Sequence, residues 1–111
     1  MVSSLLSQMI DFATFKVGTP VSLGWSGVGT QSYTATKFGI VTVQTAVTAG
    51  KYVDISLNGT TIARAQAPGT AYTWIPFSIM VNAGDVVKAT SQDGGSSAQI
   101  YPGYCKFIPL S

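Results

Sequence analysis

The chain has 111 residues, of which 46% are hydrophobic and only 9% charged, with six Lys or Arg against four acids. Soluble domains carry about 25% charged residues, so this surface is built mainly of Thr, Ser, Gln and Gly. A net charge of +2 on scattered basic residues excludes a nucleic-acid footprint, which needs them clustered.

The first fifteen residues stand apart. Leu5, Met9 and Phe12 fall on one face of a helical projection, with Leu6, Ile10 and Ala13 beside it, and Ser3 or Ser4 is placed to cap its start. Residues 1–15 therefore read as an N-terminal arm and residues 16–111 as one β-domain. A helix this short is marginal in water. The arm is either an apolar segment that orders on a neighbouring subunit, a frayed terminus, or a strand that completes the sandwich. Its first twelve residues contain no basic residue, and Ser7 and Gln8 break the apolar run, so it does not read as a secretion signal.

From residue 17 onward, short β-rich runs alternate with turn signals, and no helical period persists. Residues 17–23 and 31–35 are the weaker strand candidates, on either side of a Gly-rich loop at 24–30. Residues 38–47 place Val41, Val43 and Val47 on one face and Thr42 and Gln44 on the other. Residues 51–57 turn Val53, Ile55 and Leu57 inward and Tyr52, Asp54 and Ser56 outward. Asn58-Gly59 tolerates the positive φ of a tight hairpin, and residues 60–66 return. Two registers are open there: a two-residue loop pairs Ile55 with Ile62, and a three-residue loop sets Asp54 opposite Arg64.

Pro68-Gly69 precedes a run at 72–81 in which Ile75, Phe77, Ile79 and Val81 alternate with Pro76, Ser78 and Met80. Pro76 marks that run as an edge strand or a bulge. Turns at 82–85 and 93–95 flank a strand at 86–91, and Pro102-Gly103 interrupts the last segment, 98–108. About eight short strands at such spacing predict an all-β fold, a jelly-roll-like β-sandwich of antiparallel strands. The longest uncharged windows, 17–36 and 65–84, are broken by Gly, Pro and hydroxyls and do not match the roughly 20 apolar residues of a membrane span.

Few residues here carry chemistry. Without His, a Ser-His-Asp or Cys-His nucleophile has no base. Asp11, Asp54, Asp85 and Asp93 are the only carboxyls, and each sits in an arm, on an outward strand position or in a Gly-flanked turn, where Asp is ordinary. No enzyme, metal or cofactor is expected. Gly27-Val28-Gly29 lacks the third glycine and the βαβ setting of a dinucleotide fingerprint. Asn58-Gly59-Thr60 fits an N-glycosylation pattern but serves better as a hairpin. The lone Cys105 reads as a small buried hydrophobe, in keeping with folding in a reducing cytoplasm. Trp25 and Trp74 are the candidates for stacking on a sugar ring, against the alternative that both belong to core or interface.

Several stretches together resemble a known group. Gln31-Ser32-Tyr33-Thr34-Ala35, the following Phe38-Gly39-Ile40-Val41-Thr42-Val43, Tyr52 to Gly59, the Val81-Asn82-Ala83-Gly84-Asp85-Val86-Val87 turn and strand, and the closing Tyr101-Pro102 resemble small β-domains of tailed-bacteriophage virion proteins. That group commonly carries Pro and an acid after Tyr-Thr-Ala, where this chain has Thr36-Lys37. As a whole the chain is similar to the capsid decoration, or staple, proteins of short-tailed phages, with the same kind of β-domain found in tail-fibre heads. The resemblance implies a non-enzymatic virion protein, made in the host cytoplasm, that binds the outside of an assembled capsid and bridges coat subunits. Its expected partners are the major capsid protein and further copies of itself, as a dimer or trimer. Leu5, Leu6, Met9, Ile10 and Phe12 are the candidate capsid-contact arm. The alternative is a receptor-binding module recognising a host glycan through Trp25 or Trp74 and the 24–30 loop.

Overall fold

The alternation of apolar and hydroxyl residues produces nine strands in the computed structural model, which describes residues 17–25, 29–48, 50–67, 69, 72–91 and 98–110. They are β1 (Val21–Ser22), β2 (Thr30–Thr34), β3 (Gly39–Val47), β4 (Tyr52–Leu57), β5 (Thr60–Gln66), β6 (Thr73–Val81), β7 (Val86–Ser91), β8 (Ala98–Ile100) and β9 (Lys106–Pro109), with a 3-10 turn at Pro102–Tyr104. The proposed arm lies outside the described residues.

Pairing follows one rule. β4 pairs β5, β3 pairs β6, β2 pairs β7 and β1 pairs β9, all antiparallel. The chain is thus one long hairpin whose tip is Asn58-Gly59. Rolling that hairpin brings β9 beside β3 and β7 beside β4, giving sheets ordered β1-β9-β3-β6 and β2-β7-β4-β5. This is a jelly roll. β8 and β9 share one edge of β3, β8 against Thr45–Val47 and β9 against Gly39–Thr42, because Pro102-Gly103 breaks what would otherwise be one strand. That division makes nine strands of the expected eight.

The tip resolves the register ambiguity by combining both expectations. Asn58 (φ 51°) and Gly59 (φ 88°) form a two-residue loop between Leu57 and Thr60. Ile62 is then left over as a bulge, since Ser56 faces Thr61 while Ile55 faces Ala63. Asp54 consequently lies opposite Arg64.

Between the sheets, Val41, Val43 and Val47 of β3 meet Val53 and Ile55 of β4, Val87 and Ala89 of β7, Ile100 and Phe107, all buried. Two buried hydroxyls are satisfied by backbone: Thr45 Oγ1 donates to the Ile75 carbonyl at 2.8 Å, and Ser91 Oγ accepts from Gly29 N–H at 2.8 Å. Such pairing removes the desolvation penalty of an orphaned polar group. At Gly39 a Cβ would lie 2.5 Å from the Ile108 carbonyl oxygen and 2.7 Å from the Phe107 ring, so only glycine lets β9 close on β3 there.

β6 is an edge strand, as Pro76 requires. Gln44 directs its carbonyl toward Tyr101 N–H, 2.8 Å away on the β8 side. Backbone groups alternate in direction along a strand. The next residue, Thr45, therefore bonds Ile75, its partner, and Pro76 turns its missing N–H to the open edge, where no ladder bond is lost.

Candidate functional site

Alternation gives each sheet one outer face, and the two faces differ in kind. On the β2-β7-β4-β5 sheet one outward row carries Thr90, Asp54 and Arg64, with Lys88 and Ser56 in the row on one side and Tyr52 and Gln66 in the row on the other. Arg64 forks onto Asp54, Nε to Oδ1 at 2.7 Å and Nη2 to Oδ2 at 3.1 Å, and its guanidinium lies 3.7 Å over the Tyr52 ring. The hydrogen bond to Asp54 is the main cause of a raised Arg64 pKa. This is a solvated face.

The β1-β9-β3-β6 sheet presents the opposite surface. Its cross-strand rows run Trp74–Ala46–Gln99, then Pro76–Gln44, then Ser78–Thr42–Lys106, then Met80–Ile40–Ile108. Lys106 is the one charged side chain on it among the described residues. Trp74 is 53% exposed and Met80 52%, which for side chains of this size leaves large apolar areas in water. Exposed apolar patches of this kind mark contact surfaces.

At one end the face is hollowed. Ala46 sits between Trp74 and Gln99 in the ladder, and these three residues line a cleft of about 350 Å³ together with Tyr72 and Tyr101. Trp74 and Tyr101 stand with ring centroids 4.4 Å apart and planes tilted by 44°. Tyr101 is held by its backbone. Its N–H donates to Gln44, and its carbonyl accepts from Tyr104 N–H at 3.1 Å and from the Cys105 thiol at 3.2 Å. The 3-10 turn thereby sets the Tyr104 ring 6.2 Å from that of Tyr101. A second cleft, of about 430 Å³, opens at the flank where β1 and β9 part from β2, between Val21, Tyr33 and Phe107, with Lys37 on its lining.

The sequence candidates fall unevenly. Trp74 lies on the cleft. Trp25 does not; it is 5% exposed, belongs to the core, and donates its indole N–H to the Ser32 carbonyl at 3.2 Å. Its choice as a sugar-stacking residue is corrected: the ring fills the core with its polar edge satisfied by backbone. Leu5, Leu6, Met9, Ile10 and Phe12 lie outside the described residues. Tyr72, Gln99, Tyr101 and Tyr104 carry no site signal of their own in the sequence, since only the β3 register and the 3-10 turn bring them beside Trp74. The aromatic pair Tyr101 and Tyr104 flanking Pro102-Gly103 is the signal that points to them.

The remaining polar candidates are engaged structurally. Asp85 accepts Asn82 N–H at 2.8 Å and the Asn58 amide at 3.1 Å, and these bonds, the backbone one foremost, hold its carboxyl below the ordinary range. Burial pushes the Cys105 thiol pKa up. Among the described residues no group of three or more His, Cys, Asp or Glu is gathered to hold a metal, and no helix is long and apolar enough to cross a membrane.

Fold and face together define a jelly-roll β-sandwich with one polar and one aromatic, apolar outer surface. No family profile matches the chain, and no curated protein does. Among solved structures it is similar to a family 35 carbohydrate-binding module from Clostridium thermocellum, at 15% identity and a TM-score of 0.43 over 85% of this chain and 86% of that one. It is also similar to a family 36 carbohydrate-binding module in complex with calcium and xylotriose, at 19% identity and a TM-score of 0.37 over 88% and 94%. At these identities the likeness is one of fold alone. The comparisons give the virion resemblance no support.

Proposed function

We propose that this chain is a non-catalytic docking protein of a bacteriophage virion that covers the outside of the assembled capsid and bridges neighbouring coat subunits. The observation that carries this reading is the contrast between the two outer faces. One sheet keeps its charges in water. The other offers Trp74, Met80, Ile40 and Ile108 around a single lysine. Cores of protein interfaces are depleted in charge and enriched in Trp, Tyr and Met, and isolated soluble domains keep such patches small.

Docking centres on the Met80–Ile40–Ile108 row and takes the major capsid protein as partner. Leu5, Leu6, Met9, Ile10 and Phe12 of the arm supply a second contact. Because only the assembled shell presents both halves of a bridging site, binding favours the shell over its free subunits by mass action. Self-association into a dimer or trimer adds avidity on the lattice. Density for the chain on capsids tests this: the β1-β9-β3-β6 sheet is expected to face the shell, and the Asp54–Arg64 face to look outward. The reverse orientation would overturn it.

A second reading is recognition of a host-surface glycan. One observation favours it, the aromatic cleft between Tyr72, Trp74 and Tyr101.

A further inference from the structure

We infer that the Trp74–Tyr101 cleft is a binding site for one neutral pyranose unit of an oligosaccharide. This rests on the second reading above and gives it a place and a ligand chemistry. Trp74 and Met80 are six residues apart on one strand, about 20 Å, so the cleft shares the face proposed for capsid docking and is open in the free chain.

The cleft has the composition that a sugar ring requires. Small-ligand sites are concave, mostly apolar and aromatic, with a few polar groups that fix orientation. Here Tyr72, Trp74 and Tyr101 supply rings for the C–H face of a pyranose, and the Gln99 carboxamide supplies both donor and acceptor for its hydroxyls. Among the described residues no charged side chain lines the cleft. A carboxylated or sulfated sugar would lose hydration there without meeting a cation, which is costly. Neutral sugars are selected on that ground.

The hollow is built rather than incidental. Each neighbour of Ala46 in its row is large, Trp74 on one side and Gln99 on the other, and the Trp74 and Tyr101 rings, 4.4 Å apart, close over the alanine, so the cleft is bounded by a packed ring pair. Its wall does not depend on a mobile rotamer alone, since the Tyr101 backbone is tied to Gln44, Tyr104 and Cys105. Preformed walls lower the ordering cost of binding. Ala46 is thus the positioning residue of that ring pair, and any longer side chain there displaces the rings that form the wall.

Calorimetric titration of the full chain, free of capsids, tests the inference with gluco-, manno- and galacto-trisaccharides in α and β linkage, and with trigalacturonate as the charged probe. At least one neutral trisaccharide is expected to bind with millimolar affinity, trigalacturonate at least about tenfold more weakly, since each tenfold is only about 1.4 kcal/mol. Ala46→Leu and Trp74→Ala are each expected to weaken binding at least about tenfold. A cooperative urea transition retained in both variants shows that the fold is intact. Binding that survives either substitution in a folded variant would overturn this site while leaving glycan recognition standing. Equal binding of trigalacturonate would overturn the neutral assignment. No binding by any neutral probe up to about 10 mM would overturn the site and the glycan reading together.

Discussion

Ala46 and Trp74 are direct cross-strand partners on an outer face, yet Ala46 is 2% exposed and Trp74 53%. An alanine that points away from the core and is still covered means that the aromatic side chains around it form a layer of their own. That layer and the Met80 row beyond it distinguish this sheet from its partner, whose outer side chains are charged, hydroxylated and open to water. The function proposed above follows from that difference.

Cys105 is 0% exposed, and burial raises its thiol pKa. Since the thiolate is the reactive species, the native protein is expected to be inert to a disulfide reagent such as Ellman's at pH 8 over minutes. One thiol per chain should react promptly in denaturant. Rapid reaction of the native protein would show that the turn at Pro102–Tyr104 opens readily, and that the Tyr101 wall is not fixed.

Asp85 gives stability a defined pH dependence. Its carboxyl is held below the ordinary value by the Asn82 N–H and then by the Asn58 amide, so it protonates at lower pH folded than unfolded. The contribution is complete above the unfolded value of about 3.9 and is lost as pH falls through the folded value. Urea midpoints of the wild type should be level from neutral pH to about pH 5 and then fall. Asp85→Asn should lower the neutral midpoint and flatten the acid decline. An unchanged acid decline would remove Asp85 from the account.

Asn58 joins the hairpin tip to the adjoining turn. It holds φ 51°, accepts Val86 N–H at 2.8 Å and donates to Asp85 at 3.1 Å. Asn58→Ala loses both side-chain bonds and places a less tolerant residue in the left-handed region, for an expected cost of about 1–2 kcal/mol. Asn58→Gly relieves the backbone while losing the same bonds and should fall between alanine and wild type in urea unfolding. A glycine variant weaker than the alanine one would show that the tip does not need that backbone region.

Much of this architecture is legible in the sequence because its strands alternate strictly. Val41, Val43 and Val47 against Thr42 and Gln44, and Ile75, Phe77 and Ile79 against Pro76 and Ser78, assign inside and outside before any pairing is known. Pro76 and Asn58-Gly59 then mark an edge and a tip. The bulge at Ile62 is not legible, since a single unpaired residue leaves no compositional trace in a run such as Thr60–Gln66. The cleft is not legible either. Gln99 and Tyr101 lie more than twenty residues from Trp74, and only the shared strand β3 sets Gln99 opposite Ala46 and so brings them together. Trp25 and Trp74 look alike in sequence, each beside hydroxyl and apolar residues. One lies in the core and the other on an outward position of an edge strand.

The central claim is that the β1-β9-β3-β6 sheet faces the capsid. Met80→Glu places a carboxylate in the middle of the proposed contact, at a position more than half exposed, where the fold tolerates substitution. Lys88→Glu changes charge on the opposite, solvated face. In co-sedimentation with purified capsids lacking the chain, Met80→Glu is expected to lose at least about tenfold in affinity, because burying an unpaired charge at an interface costs more than about 1.4 kcal/mol. Lys88→Glu should bind as wild type does. Full occupancy by a folded Met80→Glu variant would contradict the account.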